Sequence, residues 1–153
     1  PRWCTAHWHV LALSLLLPKS AMRVLIIEQE KTIRDSLSCF MEQQGNLDVS
    51  SAPSWRDGMS LIQTVRFDIV FCGHRLPDGN GLEMLKELAR QNPKLISILM
   101  TEHKDDSLRQ EALRAGIRGY LEKPFDLTQL EEIMGTDHMG SPVNSIEKGG
   151  ESA

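Results

Sequence analysis

Side chains that can bind ions follow apolar runs of the sequence at three places, and a fourth place lacks them. Carboxylates and an amide stand at Glu28-Gln29-Glu30, a hydroxyl and an imidazole at Thr101-Glu102-His103, and an ammonium group at Glu122-Lys123-Pro124. The fourth place lies in FCGHRLPDGNG, residues 71–81, where a strand-like run ends at Gly73. Glycine has no side chain, so this run ends without a chemical group.

The four places are joined by runs whose hydrophobic period alternates between strand and helix. Strands are predicted over 23–27, 47–52, 67–72, 95–100 and 117–121, and helices over 31–44, 55–65, 82–91, 105–115 and 127–134. Ser54 and Asp126 are predicted to cap helices, and Gly116 to end one. Apolar stripes on the helices, Leu127 and Leu130 among them, are expected in the core.

Five such units predict an α/β fold with a parallel sheet covered by helices on both faces. Parallel sheets of this kind bind ligands outside the carboxyl ends of their strands. We therefore expect the four places to meet at one edge of the sheet.

Composition indicates one globular domain. The 153 residues are 41% hydrophobic and 25% charged, which is sufficient for a single core. A net charge of -4 does not indicate the basic surface that binds nucleic acid. The domain organisation predicted is an extension over 1–21, non-native or disordered, a domain over 22–134, and a flexible tail or linker over 135–153. The apolar run in the extension is too short to span a bilayer, and no membrane role is expected.

The cysteines favour a reduced, cytoplasmic protein. Cys4, Cys39 and Cys72 contain no CxxC pair, and the last two lie in apolar periodic stretches typical of core thiols. Cys4 with His7 and His9 could ligate zinc, but a fourth ligand is missing, so no metal site is expected.

Four ordered motifs resemble a known family. MRVLIIEQE lies at the first strand, DIVFCGHRLPDGNGLEML at the third, ILMTEHKDD at the fourth and AGIRGYLEKPF at the fifth. In this order and spacing they resemble the receiver domains of bacterial two-component response regulators over nearly all of 22–134. The resemblance implies a flavodoxin-like (βα)5 doubly wound parallel sheet with strand order 2-1-3-4-5.

The resemblance also implies a chemistry. In that family, acidic residues after the first strand and an aspartate ending the third hold Mg²⁺, and this aspartate attacks a phosphoryl group. A Thr or Ser after the fourth strand and a Lys after the fifth bind the phosphoryl oxygens. A hard cation and a carboxylate nucleophile are the usual parts of phosphoryl transfer.

The match to these functional positions is half complete. Thr101 and Lys123 stand where the phosphoryl-oxygen ligands belong. Gly73 occupies the phosphoacceptor position, and Glu28 and Gln29 occupy the acidic pair, so that one carboxylate is lengthened and the other replaced by an amide that binds Mg²⁺ poorly. We therefore expect an atypical pseudo-receiver with no catalytic residue and with Mg²⁺ absent or weakly bound.

Neighbouring residues extend this interpretation. Pro124 stands where the family commonly has a cis Lys-Pro bond. Glu102 would crowd an incoming phosphoryl group with its charge. Without an acceptor carboxylate, Lys123 is expected to bond Glu28, Glu102 or a backbone carbonyl, because a half-buried ammonium needs a partner. The alternative for Gly73 is a strained turn that requires glycine.

The predicted function is that of a non-enzymatic, phosphorylation-independent signalling module in the bacterial cytoplasm. Its partner would be a sensor kinase, an output domain or its own copy, without direct nucleic-acid binding. One alternative is a phosphorelay acceptor that uses Glu28, His74 or Asp78. Another is a sensor that binds a small ligand beside Thr101 and Lys123.

The predicted working surface is the face formed by the fourth helix, the fifth strand and the fifth helix. Thr101 and Tyr120 are the expected switch residues, with Tyr120 as an aromatic anchor held in one state. The charged residues of the face carry both signs and could pair with a second copy across a two-fold axis. They are Arg109, Arg114 and Arg118 beside Asp126, Glu131 and Glu132.

Overall fold

The computed structural model describes residues 21–135, which form alternating strands and helices. The sheet strands are β1 (Met22–Ile27), β2 (Leu47–Ala52), β3 (Ile69–Gly73), β4 (Ile96–Thr101) and β5 (Gly119–Glu122). The helices are α1 (Lys31–Gln43), α2 (Trp55–Thr64), α3 (Gly81–Gln91), α4 (Asp106–Arg114) and α5 (Leu127–Gly135). The predicted extension, its possible zinc ligands Cys4, His7 and His9, and nearly all of the predicted tail lie outside the described residues.

The sheet is parallel throughout, in the order β2-β1-β3-β4-β5. This order confirms the flavodoxin-like arrangement. The strand β1 is an interior strand, so that Leu25 pairs with Ser50 on one side and with Val70 on the other. The strands β1, β3, β4 and β5 end beside one another, which brings the predicted site residues to one edge.

Two apolar clusters lie on opposite faces of the sheet because side chains alternate along each strand. Leu25 and Ile27 of β1 face the cluster under α2, α3 and α4, whereas Val24 and Ile26 face the cluster under α1 and α5. These four side chains are fully buried, and burying one such aliphatic side chain stabilises a fold by about 1.5–3 kcal/mol.

Helix ends follow the predicted capping chemistry. Ser54 Oγ accepts from Asp57 N at 3.2 Å at the start of α2. Asp126 Oδ1 accepts from Gln129 N at 2.9 Å, and Gln129 Oε1 accepts from Asp126 N at 3.0 Å, which forms a reciprocal cap on α5. Gly116 follows α4 with φ 83°, a backbone angle that favours glycine.

The connection from β3 to α3 contains a structure that the sequence did not predict. Arg75–Leu76 and Gly79–Asn80 pair as a short antiparallel ribbon. Gly79 has φ 152°, and a Cβ on Gly81 would lie 1.9 Å from the carbonyl oxygen of Gly73. Gly81 is therefore needed because the backbone at this residue approaches the backbone of Gly73 closely.

Two predicted core positions are wrong. Cys39 is exposed, because it lies two residues from the buried Leu37 and therefore on the opposite side of α1. Leu127 is 57% exposed at the first residue of α5. Cys72 is buried as predicted. Within residues 21–135, no helix is both long and apolar enough to cross a bilayer.

Candidate functional site

Glu28 is the fully buried carboxylate of the site. It follows β1, and its backbone N–H continues the sheet by donating to Ala52 O at 3.0 Å. Its Oε1 accepts from Glu30 N at 2.9 Å. Its Oε2 lies 2.7 Å from Lys123 Nζ. This last contact is an ion pair without hydrogen-bond alignment, so Oε2 has a charged neighbour but no aligned donor.

Lys123 reaches the carboxylate from the opposite side of the site. Its side chain is only 11% exposed, and it follows β5, where its N–H donates to Thr101 O at 2.7 Å. Glu30 Oε1 is a second, weaker partner at 3.5 Å. Of the three partners predicted for Lys123, Glu28 is the one that the structure places against it. The Lys123-Pro124 bond is cis, as predicted.

The loop between β1 and α1 is fixed through its backbone. Arg34 Nη1 donates to Glu28 O at 2.6 Å and to Gln29 O at 3.3 Å. Gln29 itself is exposed, as is Glu102 in the loop after β4. Neither side chain therefore joins the buried pair, although both lie at the predicted edge.

Gly73 ends β3 and does not have the left-handed backbone that requires glycine. The alternative of a strained turn that requires glycine at this residue is therefore not supported. A Cβ at this position would lie 3.1 Å from Glu28 Oε2, which is tighter than an ordinary contact. The absence of a side chain at Gly73 leaves room for the carboxylate of Glu28.

The residues Glu28, Gln29 and Gly73 do not fit Mg²⁺, the cation that the resemblance implies. Mg²⁺ requires several oxygen ligands in octahedral geometry. Glu28 is held by an N–H on one oxygen and an ammonium on the other, Gly73 has no ligand, and the Gln29 amide is exposed. Across residues 21–135, no three His, Cys, Asp or Glu side chains are grouped to hold a metal.

Thr101 lies beside two histidines. It is buried, and its Oγ1 accepts from His103 N at 3.1 Å and lies 3.4 Å from His74 Nδ1. The two imidazole rings meet edge to face with centroids 6.0 Å apart. Burial lowers the pKa of His74, and the neighbouring His103 and Arg75 lower it further, so that its neutral form is favoured.

Tyr120 is held inward rather than presented as a surface anchor. The residue is 8% exposed, and its hydroxyl donates to His103 O at 3.1 Å. Burial, followed by the Glu122 carboxylate, raises the pKa of Tyr120 to about 12. The guanidinium carbon of Arg109 lies 5.5 Å from the ring centroid. Tyr120 can therefore shape the surface of this face only from beneath it.

Asp78 has a role that sequence reasoning missed. It lies at the turn of the ribbon, where Oδ1 accepts from Trp55 N at 3.0 Å and Oδ2 from Arg56 N at 2.8 Å. Slight desolvation opposes ionisation, but these N–H donors outweigh it and lower the pKa of Asp78. Asp78 therefore caps α2 from a distant loop, and only the acidic type of the residue hinted at this.

The face formed by α4, β5 and α5 carries exposed charges of both signs. Arg114 and Arg118 are exposed, as are Asp126, Glu131 and Glu132, whereas Arg109 is partly buried. On the neighbouring α3, Glu83 pairs with Lys86 and Glu87 pairs with Arg90, each three residues apart on the helix. Lys86 also contacts Glu111 of α4, a pair that connects two helices.

Comparison with known proteins agrees with this geometry. Residues 24–134 match the family described as Response regulator receiver domain. The chain is 30% identical over 117 residues to "Response regulator protein PilR" of Pseudomonas aeruginosa, covering 76% of this chain and 26% of PilR. It is 33% identical over 112 residues to "Regulatory protein AtoC" of Escherichia coli, covering 73% of this chain and 24% of AtoC. The chain thus spans about a quarter of these relatives.

A solved structure has the same fold. The receiver domain protein (CheY-like) of Methanospirillum hungatei superimposes with a TM-score of 0.70 at 27% identity, over 76% of this chain and 92% of that one. Because the family match spans more than half of the sequence and the fold agrees, the chain belongs to the response regulator receiver domain family.

Proposed function

We propose that this chain is a pseudo-receiver, a signalling domain that is not phosphorylated on an aspartate and acts by binding another protein. The observation that carries the proposal is the pairing of Lys123 with Glu28 beside Gly73. The strand end that holds the acceptor in the family has no nucleophile here. The lysine that would bind a phosphoryl oxygen already has an internal counter-ion.

The other acceptors are less well suited. Glu28 is fully buried and held on both sides. Asp78 uses both oxygens to accept from the backbone of α2. His74 is partly buried, and no carboxylate cluster that could hold a cation lies near it within the described residues. These contacts weigh against a phosphorelay function, and the occupied Lys123 weighs against an anion sensor.

The proposed mode of action is constitutive. In phosphorylated members of the family, movement of the threonine and rotation of the aromatic residue on β5 adjust the surface. Here the hydrogen bond from Tyr120 to His103 O keeps the aromatic ring inward, and Thr101 accepts from His103 N in the same loop. Both switch residues are therefore fixed to one loop without a phosphoryl group.

We assign partner binding to the face of α4, β5 and α5. The partner is a sensor kinase, an output domain or a second copy, and Arg118 is exposed directly before β5. A two-fold arrangement would bring its basic residues against Asp126 and Glu132 of the other copy. Rim charges of this kind affect specificity more than affinity.

We place the domain in the cytoplasm, as a non-enzyme that does not itself bind nucleic acid. One relative is named "DNA-binding transcriptional activator DevR/DosR", from Mycobacterium tuberculosis, and the match covers 48% of it. We expect no DNA binding by this chain itself, because its net charge is -4.

Amide NMR tests the proposal. Acetyl phosphate and Mg²⁺ are added to the protein, and a receiver domain with aspartate at the position of Gly73 is the positive control. We expect resonances around Thr101 and Lys123 to stay in place here and to move in the control. Movement of these resonances in this protein that reverses as the phosphodonor is consumed would overturn the proposal.

A further inference from the structure

The position of the Glu28 carboxylate is tied to the missing side chain at Gly73. A Cβ built on Gly73 would lie 3.1 Å from Oε2 and 3.6 Å from Cδ of Glu28. A side chain at residue 73 would therefore crowd the Glu28 carboxylate, which would have to shift by a few tenths of an ångström. Since the backbone of β3 accepts other residues at this position, this space is the local reason for glycine.

The charges of Lys123 and Glu28 also disfavour a second carboxylate at residue 73. Lys123 is the cation against Oε2, at 2.7 Å, and both side chains are largely withdrawn from water. One ammonium can neutralise one buried carboxylate, whereas a second carboxylate in contact with the first would be repelled in a medium of low dielectric constant. Glu30 is a further carboxylate near Lys123, at 3.5 Å, but it is 45% exposed, so water screens its charge.

We propose that Glu28 and Gly73 form an exchanged pair, in which the carboxylate that neutralises Lys123 comes from the end of β1 instead of the end of β3. Glu28 is then a positioning residue. It holds Lys123 and the connection from β5 to α5, and it keeps phosphate-like anions away from the lysine. This inference rests on the proposed function and explains how the site remains fixed without a phosphoryl group.

A double-mutant cycle tests the exchange. Gly73→Asp, Glu28→Gln and the double variant are unfolded with urea, and their unfolding equilibrium constants are compared with the wild type. Each single change should favour unfolding, because the first places two carboxylates together and the second leaves Lys123 with only the more distant Glu30 carboxylate. The double variant moves the carboxylate from residue 28 to residue 73, and we expect a favourable coupling of at least about tenfold in the unfolding constant.

Matched controls separate charge from size. Gly73→Asn adds a side chain of the same shape without charge, and its coupling to Glu28→Gln should be several-fold smaller than that of Gly73→Asp. Glu30→Gln removes the exposed neighbour of Lys123 and should not couple to Gly73→Asp. Additive effects, or equal coupling for Asn and Asp, would overturn the exchange.

Inorganic phosphate provides a second readout that a purely structural role would not change. We expect Glu28→Gln to bind phosphate through Lys123, seen as a phosphate-dependent rise in Tm that the wild type and Glu28→Gln/Lys123→Met lack. An equal rise in the wild type would overturn the proposal. If Glu28→Gln alone fails to fold, a folded Glu28→Gln/Gly73→Asp variant supports the exchange and an unfolded one overturns it.

These measurements use no phosphodonor, so their outcome can be told apart from the outcome of the phosphorylation test. Phosphorylation of the wild type would refute the pseudo-receiver proposal while leaving a tenfold coupling intact. Conversely, an additive cycle would refute the exchanged pair while leaving an unphosphorylated domain.

Discussion

Tyr120 gives the folded protein a predictable loss of stability at high pH. Burial and Glu122 raise the pKa of its phenol to about 12, from an ordinary value of 10.0. In the unfolded chain the phenol ionises near its ordinary value. Between these two pKa values, the folded state therefore retains the phenolic proton while the unfolded state loses it. The stability from the neutral phenol is complete below about pH 10 and is lost as the pH rises through about 12.

The size of this loss of stability follows from the difference between the pKa of Tyr120 in the folded and in the unfolded state. A difference from 10.0 to about 12 corresponds to at most about 2.7 kcal/mol of unfolding free energy. The hydroxyl is only partly buried where it donates to His103 O, so solvent partly screens a phenolate there, and we expect about 1–2 kcal/mol. In a domain of this size, that lowers Tm by roughly 4–10 °C between pH 10 and pH 12.

The chain contains a single tyrosine, so its ultraviolet phenolate absorbance reports Tyr120 alone. The folded protein is titrated by absorbance, and Tm is measured over the same pH range for the wild type and for Tyr120→Phe. The variant keeps the ring and loses the bond to His103 O, which costs about 0.5–1.5 kcal/mol at neutral pH. Its Tm should then fall less steeply than the wild type between pH 10 and pH 12.

Two results would refute this reasoning. A phenolate midpoint near pH 10 in the folded protein would mean that the ring turns outward into water. Parallel Tm curves for the wild type and Tyr120→Phe would mean that the phenol contributes nothing to the pH dependence. Either result removes the fixed inward state on which constitutive binding rests.

Three further predictions concern the acceptor position, the charged face and the α2 cap. Gly73→Asp alone should not give efficient, Mg²⁺-dependent labelling by acetyl phosphate, whereas the triple variant with Gln29→Asp and Glu102→Ala should be labelled better. Labelling is read by intact mass, and full labelling of the single variant would contradict this prediction. Arg118→Glu should weaken self-association measured by light scattering while Arg118→Lys keeps it, and a wild type that is monomeric at every concentration rules out the homodimer. Asp78→Ala should lower the free energy of unfolding by about 0.5–2 kcal/mol, because two backbone N–H groups at the start of α2 lose their acceptor, and an unchanged urea midpoint would contradict the capping role.

The sequence predicted the fold well because hydrophobic period is local information. Each strand and helix was placed within two residues of its bounds. Caps at Ser54 and Asp126 were also predictable, since their acceptors and donors lie three residues apart. The meeting of the strand ends followed from the parallel sheet alone.

Features that depend on tertiary contacts were predicted less well. The approach of the Glu28 carboxylate to Gly73 depends on the register of β1 and β3, which the sequence pattern does not contain. Asp78 caps a helix more than twenty residues away. The inward orientation of Tyr120 depends on the path of the loop that carries the His103 carbonyl. In each case the residue type was visible, but its partner was not.

Intact-mass spectrometry after incubation with acetyl phosphate and Mg²⁺ tests the central claim most directly. A receiver domain with aspartate at the position of Gly73 is treated in parallel to show that the donor is active. We predict that the control gains one phosphoryl group, which hydroxylamine removes, and that this protein keeps its unmodified mass. A hydroxylamine-sensitive gain of one phosphoryl group on this protein would contradict the account.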